Sequence, residues 1–530
     1  MNNAKPISKH EVTRKAGTFG AVTMLSRVLG LVRDMLSASV FGTSSAWDAF
    51  VIAFTIPNMF RMMLGEGALA GAFVPLFSEY LHKDGEEKAW DFTNRVITLQ
   101  SLVLIILVIL ACFALGGVLL FDISPRLREV LILSMLLSPY LFFICNVGLF
   151  MGILNAFYHF FLPAFAPVIL NIVLIIVMIS VVRVTSISVE TKVSFVVVGV
   201  LIGGMIQLMS HFRLAVKHGL RFRVIFDLKD EGVQKIWRLM LPAVLGLSIT
   251  QINLMIDRFL AYIIGEGAAS SLYYANRIIQ LPVGVFGVAL ATTSFPLLAQ
   301  YAAQENKTDY RQTLIHVIKM MIFIAAPATS GLLVLSYPII KMIFQYNEFD
   351  SSSTLTTAQV LFCYSIGLIA YCVSKTVIRA FYSLQDTRTP VKIGLITLVL
   401  NVVLNLILMI PLKQAGLALS TSITSFIGLF LLFHQMGKRV GSLMTADLVS
   451  NISKAAFCSG VMMLVSYILY KVLDRIIVAP LFNKIMTGIV PVAVGVLVYL
   501  AVAHFMNMPQ TRELLKLVGI KIPPRTNRVS

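Results

Sequence analysis

The stretch Phe73-Val-Pro-Leu-Phe-Ser-Glu-Tyr80 returns about 220 residues later as Ser294-Phe-Pro-Leu-Leu-Ala-Gln-Tyr301. Two further echoes keep the same order. Ala156-Phe-Tyr158, followed by Pro163 and Asn171, has a counterpart in Ala380-Phe-Tyr382, followed by Pro390 and Asn401. Asp34 likewise falls opposite Asp257. Three matches in one order point to an internal repeat. Each copy sits among apolar runs near 17–40, 49–80, 93–120, 130–157, 162–182, 194–213, 239–263, 270–301, 315–343, 357–382, 391–411, 415–436, 452–473 and 485–506. A bilayer crossing takes ~20 apolar residues as a helix, so these runs amount to about fourteen transmembrane helices. The expected fold is an all-α polytopic membrane protein: two six-helix lobes plus two C-terminal helices. Each lobe holds an even number of spans, so the two run parallel and are related by a pseudo-two-fold axis along the membrane normal. The expected boundaries are 1–225 and 226–440 for the lobes, 441–510 for the extra pair and 511–530 for a basic tail.

Composition agrees. The 530 residues are 58% hydrophobic and 13% charged, with mean hydropathy +0.87. Soluble domains carry roughly 25% charged residues, and a larger core cannot absorb the deficit, because a surface must still face water. This excludes a soluble enzyme, a secreted disulfide scaffold and a disordered chain. The net charge of +18 would point to nucleic acid in a soluble protein. Here it follows the gathering of basic residues in cytoplasmic connections, so no nucleic-acid partner is expected. Lys5, Lys9, Arg14 and Lys15 precede the first span, and Lys217, Arg221, Arg223, Lys229, Lys235 and Arg238 follow the sixth. Gly42–Trp47, Gly265–Ser271 and Asn347–Thr357 hold no Lys or Arg, while Arg126 and Arg128, like Lys471 and Arg475, run against the bias. Both termini are expected in the cytoplasm, with the first span retained rather than cleaved. Trp47, Trp90 and Trp237 read as interfacial anchors, and the five cysteines as apolar fillers without CxxC pairing.

The informative residues are charges inside hydrocarbon. Arg27, Arg33 and Asp34 lie in the first span, Asp48, Arg61 and Glu66 in the second, Asp257 and Arg258 in the seventh, Arg277 in the eighth and Lys375 in the tenth. Arg27 and Asp34 share a helix face, and Arg33 points about 120° away. A centred Arg, Lys or Asp costs ~2.5–3.5 kcal/mol on insertion scales, so each must face water, a partner or a charged ligand. Internal ion pairs such as Arg27–Asp34 would satisfy some of them. Four of these arginines, Arg27, Arg33, Arg61 and Arg277, come from three helices and exceed what the nearby acids neutralise, and the guanidinium fork suits phosphate oxygens. The expectation is an anion-translocating cavity taking a phosphate or pyrophosphate. Gly65 and Gly67, around Glu66, are expected hinge points.

Asn401 and Asn405 share a face at i, i+4, with Thr421 on the next span and Asp257 as an available carboxylate. Such oxygens suit Na⁺, while interhelical hydrogen bonding explains the amides and hydroxyl equally simply. No GxxxxGK[ST] loop and no HExxH occur, and no acid/base or nucleophile constellation stands out, which argues against ATP-driven transport and against an enzyme.

Several stretches together resemble one family. They are Ser26-Arg-Val-Leu-Gly-Leu-Val-Arg-Asp34, Asp48-Ala-Phe50, Ile56-Pro-Asn58 with Arg61, and Gly65-Glu-Gly-Ala68 running to Ala72-Phe-Val-Pro75. Tyr273-Tyr-Ala-Asn-Arg277, Leu281-Pro-Val-Gly284 and Phe381-Tyr-Ser-Leu-Gln-Asp-Thr-Arg-Thr-Pro-Val391 complete them. Over nearly its whole length the chain resembles the MurJ (MviN) lipid II flippases, within the multidrug/oligosaccharidyl-lipid/polysaccharide exporter superfamily. The resemblance implies fourteen helices, two lobes around a central cationic cavity and, as substrate, undecaprenyl-pyrophosphate-linked disaccharide-pentapeptide. That lipid would pass from the cytoplasmic to the periplasmic leaflet of a bacterial inner membrane by alternating access. The family's essential arginines match Arg27, Arg33, Arg61 and Arg277, and its second-span acid matches Asp48; Asp34 and Glu66 are the other acids expected at the substrate site. The last two helices would form a groove for the lipid tail. Residues resembling Asp257, Asn401, Asn405 and Thr421 hold sodium in relatives, so Na⁺ coupling is implied and no other cofactor. Asn276 and Gln280 stand where some members have acids, which leaves Arg277 less neutralised. Membrane lipids and cell-wall synthesis proteins are the remaining expected partners. The competing readings are a cation-coupled multidrug or other polyprenyl-linked oligosaccharide exporter, a membrane enzyme acting on polyprenyl phosphates, and a scaffold.

Overall fold

The computed structural model describes residues 9–63, 69–184 and 187–517. Glu66 with Gly65 and Gly67, and the tail residues Lys521, Arg525 and Arg528, lie outside the described residues. All regular structure among the described residues is helical. The chain divides into two compact units, the first Met1–Ser270 with Tyr346–Phe349, the second Ser271–Gln345 with Asp350–Ser530.

The first unit holds α1 (Lys9–Phe41), α2 (Ser45–Phe60), α3 (Leu69–Lys83), α4 (Glu86–Val118), α5 (Pro125–Ala156), α6 (Phe161–Val182), α7 (Val189–Lys217) and α8 (Glu231–Ile264). Their starts are set by short polar caps: the side chains of Ser44, Ser124, Ser188 and Asp230 each accept from an N–H three residues on. Such caps satisfy one of the donors a helix leaves open at its N-terminus. An aromatic core ties α3, α4 and α8. Phe73 stacks on Phe92 at 5.7 Å and Tyr80 on Phe92 at 4.6 Å, with Val233 and Ile236 buried against them. Trp47 stacks between Phe41 and Phe50, and Trp90 packs in the aromatic core, both buried. Of the three tryptophans, Trp237 alone is exposed.

The second unit holds α9 (Ala268–Pro282, its first residues counted with the first unit), α10 (Val288–Ala303), α11 (Lys307–Phe344), α12 (Ser351–Ile366), α13 (Leu368–Ser383), α14 (Arg388–Val440), α15 (Ala446–Ile476), α16 (Pro480–Phe505) and α17 (Pro509–Leu517). Eight described helices are individually long and apolar enough to cross a membrane, and α12 with α13, bent by 44°, makes a ninth. Three differences from the fourteen apolar runs have a visible cause. The second run of each repeat is broken: α2 passes through π-helical Arg61–Met63 before α3, and α9 through π-helical Val283–Gly287 before α10. Pro57 and Pro282 remove a backbone donor just before each break. The runs 391–411 and 415–436 are the two limbs of α14, turned at Lys413 with φ +49°. The turn requires a glycine next to it, because a Cβ on Gly416 would overlap the carbonyl of Leu408.

Candidate functional site

The acid of the second span accepts four hydrogen bonds in the first unit. Asp48 lies in the first turn of α2 and is 1% exposed. Its Oδ1 accepts from the Ser270 N–H at 2.7 Å and from the Ser270 hydroxyl at 2.6 Å. Its Oδ2 accepts from the Gly267 N–H at 2.7 Å and from Nη2 of Arg126 at 3.3 Å. Arg126, at the start of α5, reaches further: Nη1 donates to the Tyr262 carbonyl at 2.9 Å and Nη2 to the Gly265 carbonyl at 2.7 Å. The guanidinium also lies 4.7 Å over the Tyr262 ring. The last carbonyls of α8 are the negative end of its dipole, and a cation there is favoured. Glu266 adds a bond from the Ser45 N–H at 2.9 Å. Gly267 takes φ +78°, and its position brings it so near Thr43 that a side chain there would meet the Thr43 hydroxyl at 3.2 Å. Asp48, Arg126 and Gly265–Ser270 (the turn after α8 and the first residues of α9) thus form one closed joint with α2, α5 and α8.

The arginines predicted to bind substrate are held in different ways. Arg33 is neutralised next door: Nε and Nη2 donate to Asp34 Oδ1 at 3.1 and 2.7 Å, and Nη1 to Asn171 Oδ1 at 3.0 Å. Asp34 is fully buried, so this pair is part of the fold of α1 against α6. Asn171 returns a bond from Nδ2 to the Ser26 carbonyl at 3.1 Å. Arg61 opens the π-helical turn after α2 and is steered by Asn58, whose Oδ1 accepts from Nε and Nη2 at 3.1 and 3.0 Å. Arg277, in the equivalent broken span of the other half, lies 5.7 Å over the Tyr273 ring and donates to its hydroxyl at 3.3 Å. Arg27 is half-buried on α1 and has no hydrogen-bond partner among the described residues. A helix broken at a π turn frees backbone groups and is a common place for a functional site. Both halves put one of these arginines on such a helix.

The polar residues of α14 close on one another. Asn401 Nδ2 lies 3.3 Å from the hydroxyls of Ser420 and Thr421 and 3.4 Å from that of Thr424. Asn405 donates to Asn401 Oδ1 at 3.0 Å and accepts from Ser420. This is the interhelical clamp that small polar residues make in membranes, and the amide oxygens needed for a cation are shared among the cluster's own donors. Asp257 is buried in the first unit beside Arg258, which donates to the Ala269 carbonyl at 2.6 Å. Lys375 sits on α13 in the second unit. Among the described residues no group of three His, Cys, Asp or Glu is placed to hold a metal.

Sequence reading missed Ser270 and Gly267, because backbone donors leave no signature in side-chain identity. It missed Ser420 and Thr424 because the limbs of α14 set their register. Arg126 did leave a signal, as a basic residue on the wrong side of the charge bias.

The family profile described as "Lipid II flippase MurJ" matches residues 37–485. A Vibrio cholerae protein described as "Probable lipid II flippase MurJ" is 34% identical over 456 residues, covering 83% of this chain and 86% of that one. A Rickettsia prowazekii protein of the same description is 30% identical over 501 residues, covering 92% and 96%. Among solved structures, "Lipid II flippase MurJ, inward closed conformation" superimposes with TM-score 0.78 at 28% identity, covering 94% of this chain and 99% of that one. An inward-facing multidrug transporter of the MATE family has TM-score 0.64 at 13% identity, covering 81% and 98%, a likeness of fold alone.

Proposed function

The chain belongs to the MurJ family of lipid II flippases, and on that premise we propose how its charges carry the substrate. The protein is a multi-pass membrane transporter, not an enzyme, and its substrate is lipid II, the lipid-linked precursor of peptidoglycan. The headgroup pyrophosphate is held by Arg27, Arg33, Arg61 and Arg277. Arg33, already matched by Asp34, orients rather than adds charge; Arg27, Arg61 and Arg277 supply the guanidinium forks that fit phosphate oxygens. Both termini lie in the cytoplasm, a reading that the basic connections support. The joint of Asp48, Arg126 and the turn Gly265–Ser270 then lies at the periplasmic end, and transport runs by alternating access from the cytoplasmic to the periplasmic leaflet. The two lobes 1–225 and 226–440 are its moving parts, and residues 441–510 hold the polyprenyl tail. Cell-wall synthesis proteins are partners in the same proposal. For coupling we propose sodium, taken by the oxygens of Asn401, Asn405 and Thr421 once their amides turn from the cluster's own donors.

One observation carries the reading: each repeat breaks its second span at a π turn and sets an arginine on that span, Arg61 in one and Arg277 in the other. Native mass spectrometry of the purified protein tests it. Bound lipid II is expected on the parent protein and is lost when Arg61 and Arg277 are both replaced by Gln. Binding of organic cations in place of lipid II would contradict the proposal and favour a multidrug exporter.

A further inference from the structure

Arg126 sits on a connection that the charge bias leaves poor in basic residues, and the structure explains its presence. A cation that merely balanced Asp48 would need one contact. Arg126 makes three, spread over two elements that it does not belong to: the carboxylate of Asp48 on α2, and the Tyr262 and Gly265 carbonyls at the end of α8. The same carboxylate accepts from Gly267 and Ser270, two and five residues beyond Gly265. The guanidinium therefore grips the turn at one end while Asp48 grips it at the other, and Arg126 and Asp48 hold each other. Neither grip is complete alone. Without Arg126 the carbonyls of Tyr262 and Gly265 lose their donor, and the buried carboxylate of Asp48 loses the cation that pairs with it among the described residues.

We propose that Arg126 is a positioning residue for transport: it locks Gly265–Ser270 onto Asp48 and so sets how firmly the end of α8 is held against α2 and α5. The inference deepens the alternating-access reading and rests on it for the joint having to release in each cycle. Arg126 touches no substrate in this scheme. The fork geometry matters as much as the charge, because a lysine ammonium is a compact point charge and does not present parallel donors to two carbonyls and a carboxylate.

The test reads closure directly and needs no substrate. In a cysteine-free background, Ala268→Cys places a reporter in the turn at a position 1% exposed. A membrane-impermeant maleimide is added from the outer side of sealed spheroplasts. Labelling is expected to be slow in the parent and to quicken about 10-fold or more with Arg126→Ala, the effect of losing charge-assisted hydrogen bonds. Arg126→Lys, which keeps the charge and guards against a misfolded alanine variant, is expected to quicken it a few-fold. Arg128→Ala, at an exposed arginine two residues further along α5, is expected to leave it unchanged. The proposal is overturned if Asp48→Ala quickens labelling while Arg126→Ala and Arg126→Lys do not. It is overturned equally if Arg128→Ala matches Arg126→Ala, since charge on the connection would then be the whole effect. Because labelling is read without lipid II, a failure of the substrate assignment leaves this result standing, and a failure here leaves the substrate assignment untouched.

Discussion

Cells whose only flippase carries Arg27→Ala or Arg277→Ala are expected to stop growing, with the variant protein present at the parent level and with the parent melting temperature. Each guanidinium offers phosphate two parallel charge-assisted bonds, and bonds to charged groups are worth ~1.5–3 kcal/mol each. Losing one fork from the step that carries the headgroup across then slows transport roughly 100-fold or more. The structure separates these two from their neighbour. Arg27 has no hydrogen-bond partner among the described residues, and Arg277 is steered by a tyrosine one turn away on its own helix. Removing Arg27 therefore breaks no hydrogen bond among the described residues. Arg33→Ala also strips the buried Asp34 of a cation at 2.7 Å, so it is expected to lower stability as well as transport. Growth paired with a thermal melt distinguishes the two outcomes. Normal growth of both Arg27→Ala and Arg277→Ala would remove the arginines from the mechanism.

The second large effect belongs to Asp48. Asp48→Ala leaves Arg126 facing two carbonyls with no carboxylate, and leaves the N–H groups of Gly267 and Ser270 without their acceptor. Breaking a buried ion pair by removing one partner costs ~3–5 kcal/mol. The expected result is a marked fall in melting temperature together with loss of growth support. Asp48→Asn keeps an acceptor oxygen but loses the charge, so it is expected to fall between the parent and the alanine variant in both measurements. Equal melting temperatures for parent and Asp48→Ala would show that the joint contributes nothing to closure.

How much of this was legible before the structure depends on which atoms do the bonding. Helical spans were readable because apolar runs are written in side chains, as is the Pro75/Pro296 repeat. The breaks in the second spans were half readable: Pro57 and Pro282 announce a lost donor, but a π turn is a shift in backbone register that residue types do not encode. The turn at Lys413 was readable as a gap between two runs, although the chain passes it as a single long element. At the site, the arginines stood out because charge in hydrocarbon needs an explanation. What each does with its charge did not, because Asn171, Asn58 and Tyr273 are unremarkable polar residues until folding brings them within reach. Arg126 is the sharpest case. It broke a statistical rule in the sequence, and its reason is a pair of backbone carbonyls and an acid 78 residues away in the chain.

The measurement that bears most directly on the whole account is the leaflet distribution of lipid II when this protein is depleted from cells that have no other flippase. Leaflet-specific labelling of the precursor is expected to show it accumulating on the cytoplasmic side within the depletion period, with the periplasmic pool draining, and re-expression of the parent protein is expected to reverse both. An unchanged distribution after depletion, or a reversal by a variant lacking Arg27, Arg61 and Arg277 together, would contradict it.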